Sequence, residues 1–445
     1  MILYSNKKSK NNNTDYFKKY LLFSIIIYFF LIFFLSNVFG IETNKIWFFF
    51  GVPAKNFLFS DIYPFFVNID CKIVSDNLID YYNQFKNCDP WNRLFNYMPI
   101  WLHFLKLGIN QNFVYLFGFL LVAIYYFSFF KLIKIKSKNN FYIYLFLILS
   151  PVSMLAVERG NTDLLIFSLI LLFLYFCRSK SFYIISFGYI IIFFASLIKF
   201  YPIFVVFVFF KKNIENKFLS LMTFILFVFY FFYNFDQINI IKQNTLESPF
   251  FSYGYNVFES NFLDLSIRLN AYKDFFYNFV LNKSLINFQE AINPFIYPSE
   301  LKNNYFIVSK LLFLFSIFLS FILFFKKKEF FSFYKLINYN NYYPEMISGA
   351  FIFCGTFILG ANWDYRLIFL ILLVPNLIFL IEKNNSEYKK YLKLLIYSVL
   401  LIFWLSPFSV FIFGLDEILI WLIFLFLTIL IVNHLFFSFC SKLIK

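Results

Sequence analysis

Charge is scarce in this sequence. Asp, Glu, Lys and Arg make up 14% of its 445 residues, against about 25% in ordinary soluble domains. That deficit excludes a water-soluble globular chain. Histidine is almost missing, with two in the chain. Neither His103 nor His434 shares ligand spacing with a cysteine or carboxylate, so both read as interfacial or packed residues and no metal site is expected. There is no Gly-rich phosphate cradle, Ser-centred elbow or nucleotide motif. No small-residue cleavage site follows the first apolar run, residues 20–39, which therefore reads as an uncleaved first helix. Internal repeats are also missing, which argues against a transporter built from duplicated halves.

What fills the chain instead is apolar bulk: 61% hydrophobic residues, with 77 phenylalanines. Apolar segments run roughly over 20–39, 111–130, 141–157, 164–177, 182–198, 200–210, 218–234, 305–325, 346–361, 364–381, 391–411 and 418–438. Many approach or exceed the ~18 residues that cross a bilayer. The expected fold is an all-α integral membrane bundle of about twelve transmembrane helices, forming a single domain over 1–445. The stretch 182–210 is expected to break near Pro202.

The formal charge of +15 reports topology rather than nucleic acid. Of the 39 Lys and Arg, 23 sit in seven loops totalling 75 residues: 1–20, 131–140, 178–181, 211–217, 326–345, 382–390 and 441–445. Basic loops stay on the cytoplasmic side, so both termini are expected there. The two long loops, 41–110 and 235–304, then fall outside. Large loops on that side point to outward-facing chemistry. Cys71 and Cys88 share the first of them, and an oxidising outer compartment allows a disulfide between them.

Polar residues gather where the apolar runs end. "FLFSDIYPFF" carries Asp61. "NCDPWNRLFNYMPIW" carries Asp89, Trp91, Arg93, Asn96 and Tyr97. "ERGNTD" interrupts two long apolar runs with Glu158, Arg159, Asn161 and Asp163. "SLIKFYPIF" holds Lys199 and Tyr201, and "LGANWDYRLIFLILLVP" holds Asn362, Asp364, Tyr365 and Arg366. The topology set by the basic loops puts all of these on the outer face. Three unpaired charges at a bilayer centre would cost on the order of 8–10 kcal/mol. Glu158, Arg159 and Asp163 must therefore lie at the interface, pair, or line a wet cavity. A surface turn meets that condition too, and Asn161 and Asp163 stand where they can cap the following helix. Cytoplasmic loops this short leave no room for a nucleotide-binding domain. Chemistry on a lipid-carried substrate suits the residues better, with a carboxylate as general base and cations for a departing phosphate.

The ordered set "FSDIYPF", "DPWNRLFNYMPIW", "RGNTDLL", "KFYP" and "NWDYRLIFLILLVP" resembles the C-type glycosyltransferase superfamily of polytopic membrane enzymes. More narrowly it is similar to glycosyltransferase family 87, which includes polyprenyl-phosphate-mannose-dependent mannosyltransferases. The resemblance spans most of the chain; the departures are "RGNTD", where Gln often follows the Gly, and the shortage of His. It implies a bacterial inner-membrane enzyme with its site facing the periplasm. That enzyme would move a hexose, mannose by analogy, from a polyprenyl-phosphate donor to a lipid or glycan hydroxyl with inversion and without a cofactor. The resemblance makes Asp61 the catalytic base, with Asp89 as runner-up. Arg159, Asn161, Lys199, Tyr201, Asp364 and Arg366 are candidates to hold donor phosphate or substrate. Trp91 and Tyr97 are placed to stack on a sugar ring or to pack the loop, and Arg93 joins them as a loop candidate. The competing readings are a transporter or flippase of lipid-linked glycans, which would carry mid-helix charges, and an assembly subunit without activity, which would tolerate loss of Asp61.

Overall fold

The computed structural model describes residues 2–55, 57–66, 95–101, 111–245, 252–255, 257, 310–320, 322, 341–360, 362–383, 388–406 and 415–443. These residues are helical almost throughout, with one two-stranded ladder, as in an all-α membrane protein. Among the described residues, five helices are long and apolar enough to cross a membrane: Tyr16–Phe39, Phe113–Leu132, Ile214–Tyr233, Asp364–Lys383 and Leu415–Leu435. A bent pair, Lys138–Ile148 and Pro151–Arg159, makes a sixth if it is one span, and four shorter apolar helices are Asp163–Cys177, Phe182–Ile198, Lys310–Ser320 and Tyr343–Leu359. Large apolar side chains stand exposed along several of them, Phe33, Phe119, Tyr183 and Phe229 among others. Helices that face lipid leave such residues uncovered by protein.

Two prolines break the expected runs in the same way. A proline has no N–H, so the carbonyl four residues earlier loses its helical partner. Pro151 frees the Leu147 carbonyl, and the hydroxyls of Ser150 and Ser153 each donate to it at 2.7 Å. The segment expected as one helix over 141–157 is accordingly bent by 47°. Pro202 frees the Ile198 carbonyl, which accepts the Trp101 indole N–H at 3.2 Å. There the helix Phe182–Ile198 stops, Lys199 is extended, and a 3-10 helix follows over Tyr201–Phe209. The apolar segments 200–210 and 364–381 are not α-helical throughout. The first is that 3-10 helix, and the second starts as one, over Asp364–Leu373. The N-terminal stretch expected as a loop is helical from Ile2.

The chain packs as two compact units. One comprises Phe57–Lys131 and Ala156–Leu246; the other comprises Met1–Asn56, Leu132–Leu155 and Glu247–Lys445. In the first, Asp163–Cys177 and Phe182–Ile198 form a hairpin around Phe167, Ile170, Phe173, Ile185 and Ile192, all fully buried. The buried Tyr189 hydroxyl lies 2.9 Å from Ser220 Oγ and donates to the Asn216 carbonyl at 3.1 Å. Such interhelical bonds hold apolar helices together where the hydrophobic effect cannot.

In the second unit, Tyr343–Leu359 is covered along most of its length by Asp364–Leu373 and Leu415–Leu443. Its Gly349 admits the opposing chain so closely that a Cβ there would meet Phe369 O at 2.9 Å. Strand β1 (Ser252–Tyr253) pairs antiparallel with β2 (Asn362–Trp363), Tyr253 opposite Asn362. His434, read from the sequence as a packed residue, lies buried with Nδ1 2.8 Å from the Tyr343 hydroxyl and its ring against Phe351. Cys177 and Cys354 are buried free thiols. Cys71 and Cys88, and so the disulfide expected of them, lie outside the described residues, as do Asp89, Trp91, Arg93 and His103.

Candidate functional site

The stretch "ERGNTD" is a helix stop followed at once by a helix start. The helix Pro151–Arg159 ends in a Schellman arrangement: Gly160 N–H donates to Val157 O and Asn161 N–H to Ala156 O, each at 3.0 Å. This closure needs a left-handed residue after the last helical one, and Gly160 supplies φ +57°. A side chain would not fit in any case, because a Cβ there would sit 2.8 Å from both Ile62 Cδ1 and Phe59 Cδ1. The next helix begins at Asp163.

A helix end leaves carbonyls without intrahelical donors. Two of these orphans fix the segment that carries Asp61. Phe59 N–H donates to Glu158 O at 2.8 Å, and Asp61 N–H donates to Arg159 O at 3.0 Å. Phe59 takes φ +65°, which a residue with a side chain seldom adopts. The surrounding contacts hold it there: its ring fills the notch left by Gly118 and meets Phe119 edge-on. The Tyr97 hydroxyl closes the other side, donating to Asp61 O at 2.8 Å.

With the backbone pinned, the Asp61 carboxylate meets Asn161. Nδ2 of Asn161 donates to Asp61 Oδ2 at 2.6 Å. The opposite end of the same amide, Oδ1, accepts from Asp163 N–H at 2.9 Å and from Lys199 Nζ at 3.4 Å. Lys199 also pairs with Asp163 Oδ1 at 3.1 Å, with side-chain exposures of 11% and 0%. Tyr201 donates its hydroxyl to that same oxygen at 2.6 Å. The turn before Pro202 thus delivers Lys199 and Tyr201 to a helix start formed 38 residues earlier in the chain.

Of the residues expected from sequence, this unit brings together Asp61, Asn161, Lys199, Tyr201 and Tyr97. Arg159 lies beside them in a different role. Its side chain is buried, with Nε 3.2 Å from Glu158 Oε2 and Nη1 3.5 Å from Ser60 Oγ. That arrangement staples the Asp61 segment to the helix end. The Tyr97 ring packs on Phe65 and Phe95, so loop packing is the role the structure gives it. Asp163, expected to cap the helix or to lie at the interface, pair or line a wet cavity, pairs: its side chain anchors both Lys199 and Tyr201, while Asn161 takes up the Asp163 backbone N–H.

A second polar group belongs to the other unit. Asn362 donates through Nδ2 to the carbonyls of Thr356 and Gly360, and its Oδ1 accepts from Arg366 Nη1. This closes the turn at Gly360, whose φ is +110°. Trp363 and Tyr365 stack with rings 3° from parallel. Asp364 is buried. Asp416 lies close enough to interact with it electrostatically, and Asp416 and Glu417 are themselves buried. These last two went unremarked in the sequence, although paired acids in "FGLDEILIW" are conspicuous in so apolar a run. Among the described residues, no three His, Cys, Asp or Glu side chains gather as metal ligands would.

Comparison with family models, with curated proteins and with solved structures finds no match.

Proposed function

We propose that this protein is a C-type membrane glycosyltransferase. It transfers a hexose from a polyprenyl-phosphate donor to a lipid or glycan hydroxyl at the outer face of a bacterial inner membrane. The reading includes about twelve crossings with both termini cytoplasmic, as the distribution of Lys and Arg demands. The observation that carries it is a partly buried carboxylate, Asp61, and an ammonium, Lys199, bound to the two ends of one buried amide in a membrane-type chain.

In this reading Asp61 takes the proton from the acceptor hydroxyl. The oxygen attacks the anomeric carbon as the bond from that carbon to the phosphate oxygen breaks, with inversion. Polyprenyl phosphate leaves with an added negative charge, which Lys199 stabilises. Mannose is the sugar suggested by resemblance. The transporter alternative gains no specific observation.

The test uses purified protein in lipid vesicles with labelled polyprenyl-phosphate hexoses as donors. The wild type should transfer sugar, and Asp61→Asn should lower the rate at least about a hundredfold, the scale of general-base catalysis, while its thermal unfolding stays unchanged. Full transfer by the variant refutes the role of Asp61. No transfer from any such donor by the wild type refutes the enzyme reading.

A further inference from the structure

We propose that Asn161 is a positioning residue for the Asp61 carboxylate rather than a ligand of the donor; this rests on the reading of Asp61 as the base. The amide has only one polarity that the surrounding groups accept. Oδ1 faces two donors, the Asp163 backbone N–H and the Lys199 ammonium. Nδ2 faces a carboxylate oxygen at 2.6 Å. A flipped amide would point an oxygen at that carboxylate and an N–H₂ at a cation and an N–H. The hydrogen-bond network therefore assigns the orientation.

Both ends of the amide are held by rigid elements. Asn161 is 2% exposed, and its backbone closes the Schellman turn through Ala156 O. Asp163 is in the first turn of its helix, so the N–H that grips Oδ1 is one of the helix-start donors that need an acceptor. Lys199 is in turn held by Asp163, whose carboxylate is fixed by Tyr201. A side chain so committed keeps the Asp61 Oδ2 lone pair at a fixed angle and so limits the rotation of the carboxylate. Reactive groups must be held within a fraction of an ångström to work well, and a charge-assisted bond of this length supplies that restraint.

The deciding variant is Asn161→Asp. It keeps the size and the Oδ1 acceptor but cannot donate to Asp61 when ionised. Asn161→Ala serves as the size-changing companion. Steady-state transfer in vesicles should show kcat falling about ten- to a hundredfold, the worth of one hydrogen bond to a charged group, with the KM for the polyprenyl-phosphate donor changing less than about threefold. A donor ligand would show the reverse, a raised KM with kcat kept, and that result overturns the proposal.

A second readout does not depend on turnover. The infrared difference between wild type and Asp61→Asn isolates the carboxylate stretch of Asp61. That band should move in both Asn161 variants; an unmoved band overturns the proposal even if transfer is lost. Should the wild type transfer no sugar at all, the enzyme reading falls, and the infrared band still decides whether Asn161 orients Asp61.

Discussion

Lys199→Met is the sharpest probe of how this site is held. The ammonium it removes lies 3.1 Å from Asp163 Oδ1, and the side-chain exposures of the pair are 11% and 0%. Attraction at that distance is about 5 kcal/mol at an effective dielectric constant of 20, and desolvation of both ions cancels much of it. Removing one partner is a different matter, because Asp163 remains in the protein interior with its charge. The variant should lose about 3–5 kcal/mol of stability. An exposed pair would lose at most about 1 kcal/mol. Asp163→Asn added to Lys199→Met removes the stranded charge as well. The double variant should therefore recover most of the loss, giving a coupling of roughly 3 kcal/mol between the two sites. Unfolding of the reconstituted protein, followed by accessibility of its buried thiols, measures Lys199→Met, Asp163→Asn alone and the double variant. Cys177, fully buried in the same unit, is the natural reporter. A Lys199→Met loss below about 1 kcal/mol, or a double variant as unstable as the single one, refutes the reasoning.

Two further outcomes follow from the geometry. Gly160→Ala places a methyl 2.8 Å from Phe59 Cδ1 and Ile62 Cδ1 at a φ of +57°. It should cost about 2–4 kcal/mol, combining left-handed strain with overpacking, and should displace the Asp61 segment, so that transfer falls more steeply than in a surface Gly→Ala control. Asn362→Ala takes the donor from two carbonyls and one acceptor from Arg366. Thermal unfolding should report a loss of about 1–3 kcal/mol, and Asn362→Asp should lose a comparable amount, because a carboxylate satisfies Arg366 but neither carbonyl.

The first site was legible in pieces. Pro202 announced a break, and the break is where Lys199 turns. Gly160 among charged residues announced a turn between two helices, and a Schellman closure is what the backbone makes of it. What the spacing did not disclose is which carboxylate pairs with which cation. Glu158, Arg159 and Asp163 lie within six residues, yet Arg159 turns to Glu158 and Ser60 while Asp163 turns to Lys199 and Tyr201. Successive side chains around a helix end point in different directions, so only the partners waiting in each direction decide. The same limit hid the roles of Tyr97, whose hydroxyl serves a backbone carbonyl, and of Asp416 and Glu417.

Composition alone determined that the chain is apolar, helical and long enough to cross a membrane several times. Lipid offers no partner to a backbone amide, so an apolar chain must satisfy its hydrogen bonds within each segment. Charge placement carried an expectation of sidedness for the same reason, since a lysine is costly to move through hydrocarbon. The tertiary structure decided the rest. It chose which freed carbonyl accepts from which side chain, Leu147 O from two serines and Ile198 O from an indole. It also brought Asp61 to Asn161 across 100 residues. Hydrophobic periodicity places a helix and its faces, but it is silent on the register between helices. A hydrogen bond of 2.6 Å depends on that register to within a few tenths of an ångström.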